Sequence, residues 1–157
     1  MRKKLIYFVA TAFGLGYFPK IPGTFTSAVV TVLAYYYMGL SPVLYVAVLI
    51  FISLIGIYFT GEANRLAGVK DKSMFSLDEV PGQMIALLPI YFTVHSPWLF
   101  LIGFGLFRFF DIVKPGLIKR SEGLPGGIGV MADDILSGIS AAVCLQIIII
   151  LLTISAL

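Results

Sequence analysis

Where this chain keeps its charge limits what it can fold into. Five apolar stretches, at about 24–40, 42–60, 81–94, 97–107 and 135–157, contain no Asp, Glu, Lys or Arg. Only 12% of the 157 residues are charged and 59% are hydrophobic, with a mean hydropathy of +1.02. A soluble domain is typically about a quarter charged. A chain this short cannot hide so much apolar surface in its own core, because small domains leave a large share of their surface exposed. Lipid must cover the rest. In lipid a segment has to satisfy its own backbone, which leaves the helix as the element for each stretch.

The expected fold is therefore all-α, a polytopic membrane helical bundle forming one domain over 1–157. A full crossing takes about 20 residues. The second and last stretches reach that length alone; the other three are short and must borrow flanking residues or sit partly inside protein. About five crossings result. Before them, Met1-Arg2-Lys3-Lys4 leads an apolar run too short for an export signal, so 5–13 is read as a short helix or re-entrant segment.

Orientation follows from the basic residues. All eleven Lys and Arg lie in the N-terminal region and in the connections 61–80 and 108–134, while the turns at 39–42 and 95–97 have none. The positive-inside rule places the basic connections in the cytoplasm and the His95 turn outside, as for a multi-pass membrane protein. Every carboxylate then faces one side. A net charge of +3 without a basic, aromatic-interleaved run gives no nucleic-acid surface. The single Cys144 excludes an internal disulfide and a multi-cysteine metal site.

Five of the eight carboxylates, Asp78, Glu79, Asp111, Asp133 and Asp134, sit in short polar stretches at the ends of apolar ones. Acids in a helix's first turn gain typically 0.3–1 kcal/mol from its dipole. One acid suffices for that, whereas two adjacent acids repel each other. Two pairs on one face favour a cation between them, with Asp78, Glu79, Asp133 and Asp134 as metal ligands. Oxygen donors without Cys or a suitably placed His select a hard ion, Mg²⁺. Arg108, Asp111 and Lys114 fall at i, i+3 and i+6, so a helix would put them on one face before Pro115 stops it. They read equally as a phosphate-handling group and as an ion pair with snorkelling bases. Gly123-Leu124-Pro125-Gly126-Gly127-Ile128-Gly129 before the last acids would let backbone N–H groups, that of Gly127 among them, approach a phosphate. Lys20 and Thr24 flank a similar Pro-Gly turn, where Thr24 also reads as a helix cap.

Several chemistries fall away. His95 is on the face opposite the acids, Cys144 lacks an Arg six residues on, and no Asp-x-Asp-x-Thr occurs.

Three segments together resemble the phosphatidylglycerophosphatase A family. They are Pro19-Lys20-Ile21-Pro22-Gly23-Thr24 with Ser27, then Asp71 followed by Leu77-Asp78-Glu79-Val80-x-Gly82, then 107–115 with 126–134. The last is the longest and most specific, and the matches spread over most of the chain. The resemblance implies Mg²⁺-dependent hydrolysis of phosphatidylglycerophosphate to phosphatidylglycerol and inorganic phosphate. In that reading Asp111 or Asp134 is the base, and Arg108, Lys114 and Lys20 stabilise the transferring phosphoryl group. Two alternatives fit the same residues: a phosphatase for another lipid phosphomonoester such as phosphatidic acid, and a small non-enzymatic membrane transport protein.

Overall fold

A computed structural model describes residues 1–37, 39, 41–68, 73–93 and 96–155. The sequence readings at Lys70, Asp71, Lys72 and His95 lie outside the described residues. Within them the chain forms helices and no strand: α1 (Arg2–Ala10), α2 (Pro22–Tyr37), α3 (Pro42–Ala67), α4 (Glu79–Leu87), α5 (Pro97–Val113), α6 (Leu117–Ser121) and α7 (Gly126–Ser155). Short 3₁₀ turns occupy Leu15–Tyr17 and Leu88–Phe92. Proline opens α2, α3 and α5, where its missing N–H costs nothing. Lys114, in the left-handed region at φ 45°, and Pro115 stop α5.

Length separates the five apolar stretches. Helices α3 and α7, with 26 and 30 residues, are long and apolar enough to cross a membrane. Helices α2 and α5 have 16 and 17 residues, or about 24 and 26 Å at 1.5 Å per residue. The stretch at 81–94 is not one helix: α4 ends after nine residues and gives way to the 3₁₀ turn containing Pro89. The structure thus has two candidate spanning helices among its described residues, in place of five clear crossings. The physical reason is plainest at α4, where Glu79, Pro81, Gly82, Gln83, Met84, Ala86 and Leu87 are all buried. Protein rather than lipid surrounds it, so it need not match a bilayer's thickness.

Helix α7 is the centre of the bundle and packs against α3, α4, α5 and α6. Its Leu145 and Ile149 join Ala34, Leu87, Ile90, Leu99 and Phe100 in one core cluster. A second cluster, Ile6, Ala10, Ala63 and Phe75, fastens α1 to α3. It also anchors the segment entering α4, where the Leu77 N–H donates to the Ala10 carbonyl at 3.1 Å. The short α1 agrees with the helix expected after the basic N-terminus. Outside the core, Leu33, Phe51, Leu54, Trp98, Leu101, Ile147 and Leu151 are exposed. So many exposed large apolar side chains are unusual in a water-soluble monomer.

Apolar contact gives little drive between helices in lipid, so close backbone approach has to hold them. Gly127 shows this at the α3–α7 crossing, where an added Cβ would overlap the Ile57 carbonyl and crowd the Gly61 nitrogen. The sequence reading placed Gly127 at a phosphate; the structure places it in a helix–helix contact. Gly127→Ala is expected to push α3 and α7 apart at a cost of about 1–3 kcal/mol, as overpacking does. A lowered thermal midpoint of the purified protein in detergent would show it, and an unchanged midpoint would refute it.

Candidate active site

Four helix segments bring the predicted polar residues to one place. The start of α2 contributes Lys20, Gly23 and Thr24, the start of α4 Asp78 and Glu79, the end of α5 Arg108, Asp111 and Lys114, and α7 Asp133 and Asp134. Together with Ser73 and Ser76 they line a cavity of about 360 Å³. Every residue singled out from sequence as catalytic, phosphate-binding or metal-ligating is here except Gly127.

The two acidic pairs arrive differently. Asp78 caps α4, its Oδ1 accepting from the Glu79 N–H at 3.2 Å, which is the expected first-turn placement. Asp133 and Asp134 were expected to begin the last helix. Instead α7 starts at Gly126, the glycines form its first turn, and the acids lie about two turns further in. Dipole compensation falls off within the first turn, so it does not account for them.

Arg108 ties the site together. Its Nη1 donates to Glu79 Oε2, and its Nη2 lies 3.0 Å from Asp111 Oδ2, one helical turn along α5. Its buried Nε has no hydrogen-bond partner among the described residues. Two acids therefore fix the guanidinium, and the Nε–H stays unpaired. Glu79 is held from the other side by Ser27, whose hydroxyl lies 2.8 Å from Oε2 and 3.0 Å from the Gly23 carbonyl oxygen. Burial pushes the Glu79 carboxyl above its ordinary range, and Arg108 pulls against that. The approach is close enough to require Gly23, since a Cβ there would overlap Glu79 Oε1.

Lys114 organises the other half. Its Nζ donates to Asp133 Oδ2 at 2.5 Å and to Glu122 Oε1 at 2.8 Å, with Asp111 Oδ1 at 3.9 Å. Burial alone would push this ammonium down, but its bonds to Asp133 and Glu122 hold it above the ordinary lysine range. The i, i+3, i+6 pattern is thus realised, with Asp111 between two cations.

Glu79, Asp111 and Asp134 each offer an oxygen, and the three lie within 4.8 Å of one another. Carboxyl groups this close need a proton or a cation between them. This trio differs from the ligand set read from sequence. Asp111 belongs to it, while Asp133 is turned to Lys114 and Asp78 to the α4 cap. Sequence reasoning gave no site role to Ser27 or Glu122. Ser27 was visible in the Pro-Gly-Thr-x-x-Ser element, one helical turn past Gly23; Glu122 carried no signal.

The profile of the phosphatidylglycerophosphatase A family matches residues 8–149, spanning all four segments of this cavity. The chain belongs to that family. It is 34% identical over 140 residues to the phosphatidylglycerophosphatase A of Haemophilus influenzae, covering 88% of this chain and 85% of the relative. To that of Escherichia coli K12 it is 32% identical over 137 residues, covering 87% and 78%. A Bacteroides thetaiotaomicron protein named as a candidate phosphatidylinositol-3-phosphatase is 30% identical over 144 residues, covering 88% and 90%. No solved structure matches significantly.

The Lys114–Asp133 pair is open to a direct test. Lys114→Met strands a buried carboxylate and should cost about 1–3 kcal/mol of stability. Adding Asp133→Asn should recover most of that loss in a thermal or denaturant melt. No recovery in the double variant would show that the two residues act independently.

Proposed function

We propose that this chain is a lipid phosphatase that hydrolyses phosphatidylglycerophosphate to phosphatidylglycerol and inorganic phosphate, with Mg²⁺, at the cytoplasmic face of the membrane. The observation that carries the reading is a cavity with five carboxylates and three bases, in a chain whose long apolar helices hold no other charge than Glu62 and Arg65 near the end of α3. Such a site has excess negative charge until a cation enters, and its bases then face an anionic substrate.

The donor set fits Mg²⁺, a hard ion that takes oxygen ligands. Glu79, Asp111 and Asp134 would hold it, with Asp78 and Asp133 adding negative charge in the same cavity. Bound there, Mg²⁺ would offset the phosphate dianion and acidify a water. The rest is the work of side chains. Arg108, already oriented by Glu79 and Asp111, keeps a second N–H on each Nη for a phosphate oxygen. The α2 N-terminus adds N–H groups that its own helix cannot satisfy, and Lys20 and Lys114 add positive charge around the phosphoryl group. Water attacks phosphorus as the bond to the glycerol oxygen breaks. Asp111 takes the attacking water's proton, with Asp134 as the alternative base. The leaving oxygen regains a proton from water at the open mouth of the cavity.

A second reading, a different lipid phosphomonoester, has one specific support: the Bacteroides relative's name refers to a phosphoinositide. Phosphate release from phosphatidylglycerophosphate, phosphatidic acid and phosphatidylinositol 3-phosphate, compared side by side, separates them. The first should be turned over at least about tenfold faster in kcat/KM, a difference of about 1.4 kcal/mol. EDTA should abolish activity and Mg²⁺ restore it. Glu79→Gln, Asp111→Asn and Asp134→Asn should each lower kcat by about a hundredfold or more, about 2.7 kcal/mol. Any of them keeping a tenth of the wild-type rate would leave that carboxylate out of the site's chemistry.

In the bilayer, α2, α4 with its 3₁₀ turn, and α5 complete five crossings alongside α3 and α7. The cavity then faces the cytoplasm, where the basic connections are. Single cysteines at Ser73, Ser96 and Lys119, in a Cys144→Ser background, test this with an impermeant thiol reagent on spheroplasts. Ser96 alone should react before permeabilisation. Labelling at Ser73 or Lys119 from outside would reverse the orientation.

A further inference from the structure

Next to the polar cavity is a second one of opposite character. It holds about 260 Å³ and is walled by Val30 and Ala34 of α2, Tyr45 and Val48 of α3, and Val80 and Met84 of α4, among others. Among the described residues no charged one lines it. The polar tip of Tyr45 is occupied within the wall, its hydroxyl donating to the Met84 carbonyl at 2.8 Å.

We propose that this groove holds one acyl chain of the lipid phosphomonoester whose headgroup enters the polar cavity. The assignment rests on the catalytic reading above and adds to it where the tail goes. The shared walls of the two cavities are the main argument, because α2 and α4 line both of them. On α4, Val80 directly follows Glu79, and Met84 lies one turn beyond Val80. On α2, Val30 and Ala34 lie three and seven residues past Ser27, the residue bonded to Glu79, and so share its face. From Thr24 in the polar cavity to Tyr37 at the groove's far end, α2 rises about 20 Å. A molecule filling both cavities needs a charged head and an apolar tail that runs alongside α2. Leu33, Tyr37 and Val48 of its wall are exposed, while Val30, Ala34 and Met84 are buried. Here three helices form a concavity.

Phosphate release by the full-length protein in mixed micelles, with dipalmitoyl and dihexanoyl phosphatidylglycerophosphate, is the first test. Val48→Trp fills the groove from α3, away from every charged group of the site. It should lower kcat/KM for the long-chain substrate by about tenfold or more and change the short-chain value less than about twofold, the scale on which a pocket sorts methylenes. An equal loss on both chain lengths, or no loss on either, would overturn the assignment. Photolabelling gives a readout that needs no variant. The wild-type protein, with phosphatidylglycerophosphate bearing a diazirine at the end of one acyl chain, should form adducts on Tyr37, Leu44 or Val48. Unlabelled long-chain phosphatidylglycerophosphate should suppress them and phosphatidylcholine should not. Adducts on the outer face of α7, or equal suppression by phosphatidylcholine, would mean that the groove takes bulk lipid only. Should the wild type release phosphate from neither substrate, the catalytic reading fails, while the labelling still reports on the groove because it reads binding and not turnover.

Discussion

Arg108 donates to a carboxylate on another helix and to one a turn along its own. Placing a guanidinium and several carboxylates among apolar helices is expensive unless each finds a partner. That requirement shapes the surrounding structure. It sets how far α4 stands from α5, and with Ser27 and Gly23 it draws the start of α2 against the same glutamate. Asp134 then comes in from α7 beside Asp111, so four helix segments meet around one group of charges. The rest of the bundle is apolar contact that tolerates many geometries. The charged group tolerates few.

Two kinds of packing share the fold. Large side chains such as Phe100, Phe107 and Leu145 fill the interior, while glycines let backbones touch where helices cross. Gly127 belongs to the second kind, and so does Gly82, where a Cβ would meet Phe107 and the Asp134 carbonyl. The Gly82 contact brings α4 against α7 just below the acids, so a packing residue also sets the spacing of the site. Helix α4 can be short and kinked because its surroundings are protein.

Much of the site was legible in the chain before it folded. Acids and bases crowded into three short stretches between apolar segments have few structural uses, and the cavity gathers all of them. The i, i+3, i+6 spacing of Arg108, Asp111 and Lys114 was readable because helical geometry converts spacing directly into a shared face. Less legible was the division of labour. Asp133 and Asp134 are adjacent, yet on a helix neighbours point about 100° apart. One therefore reaches Lys114 and the other Asp111 and Glu79. The glycine run misled for a related reason: its composition suits a phosphate loop and a tight helix crossing equally, and only the neighbour at Ile57 tells them apart.

Composition and charge placement determined by themselves that the chain is helical, apolar on its outside and polar at one end. Those properties depend on local sequence and on the solvent that each segment can tolerate. Tertiary structure alone decided which carboxylates face one another, that Ser27 and Glu122 join them, and that the stretch at 81–94 is a short buried helix ending in a 3₁₀ turn. Each of these is a contact between segments distant in the chain, fixed by how backbones approach at Gly23, Gly82 and Gly127 and by which charge each cation reaches first.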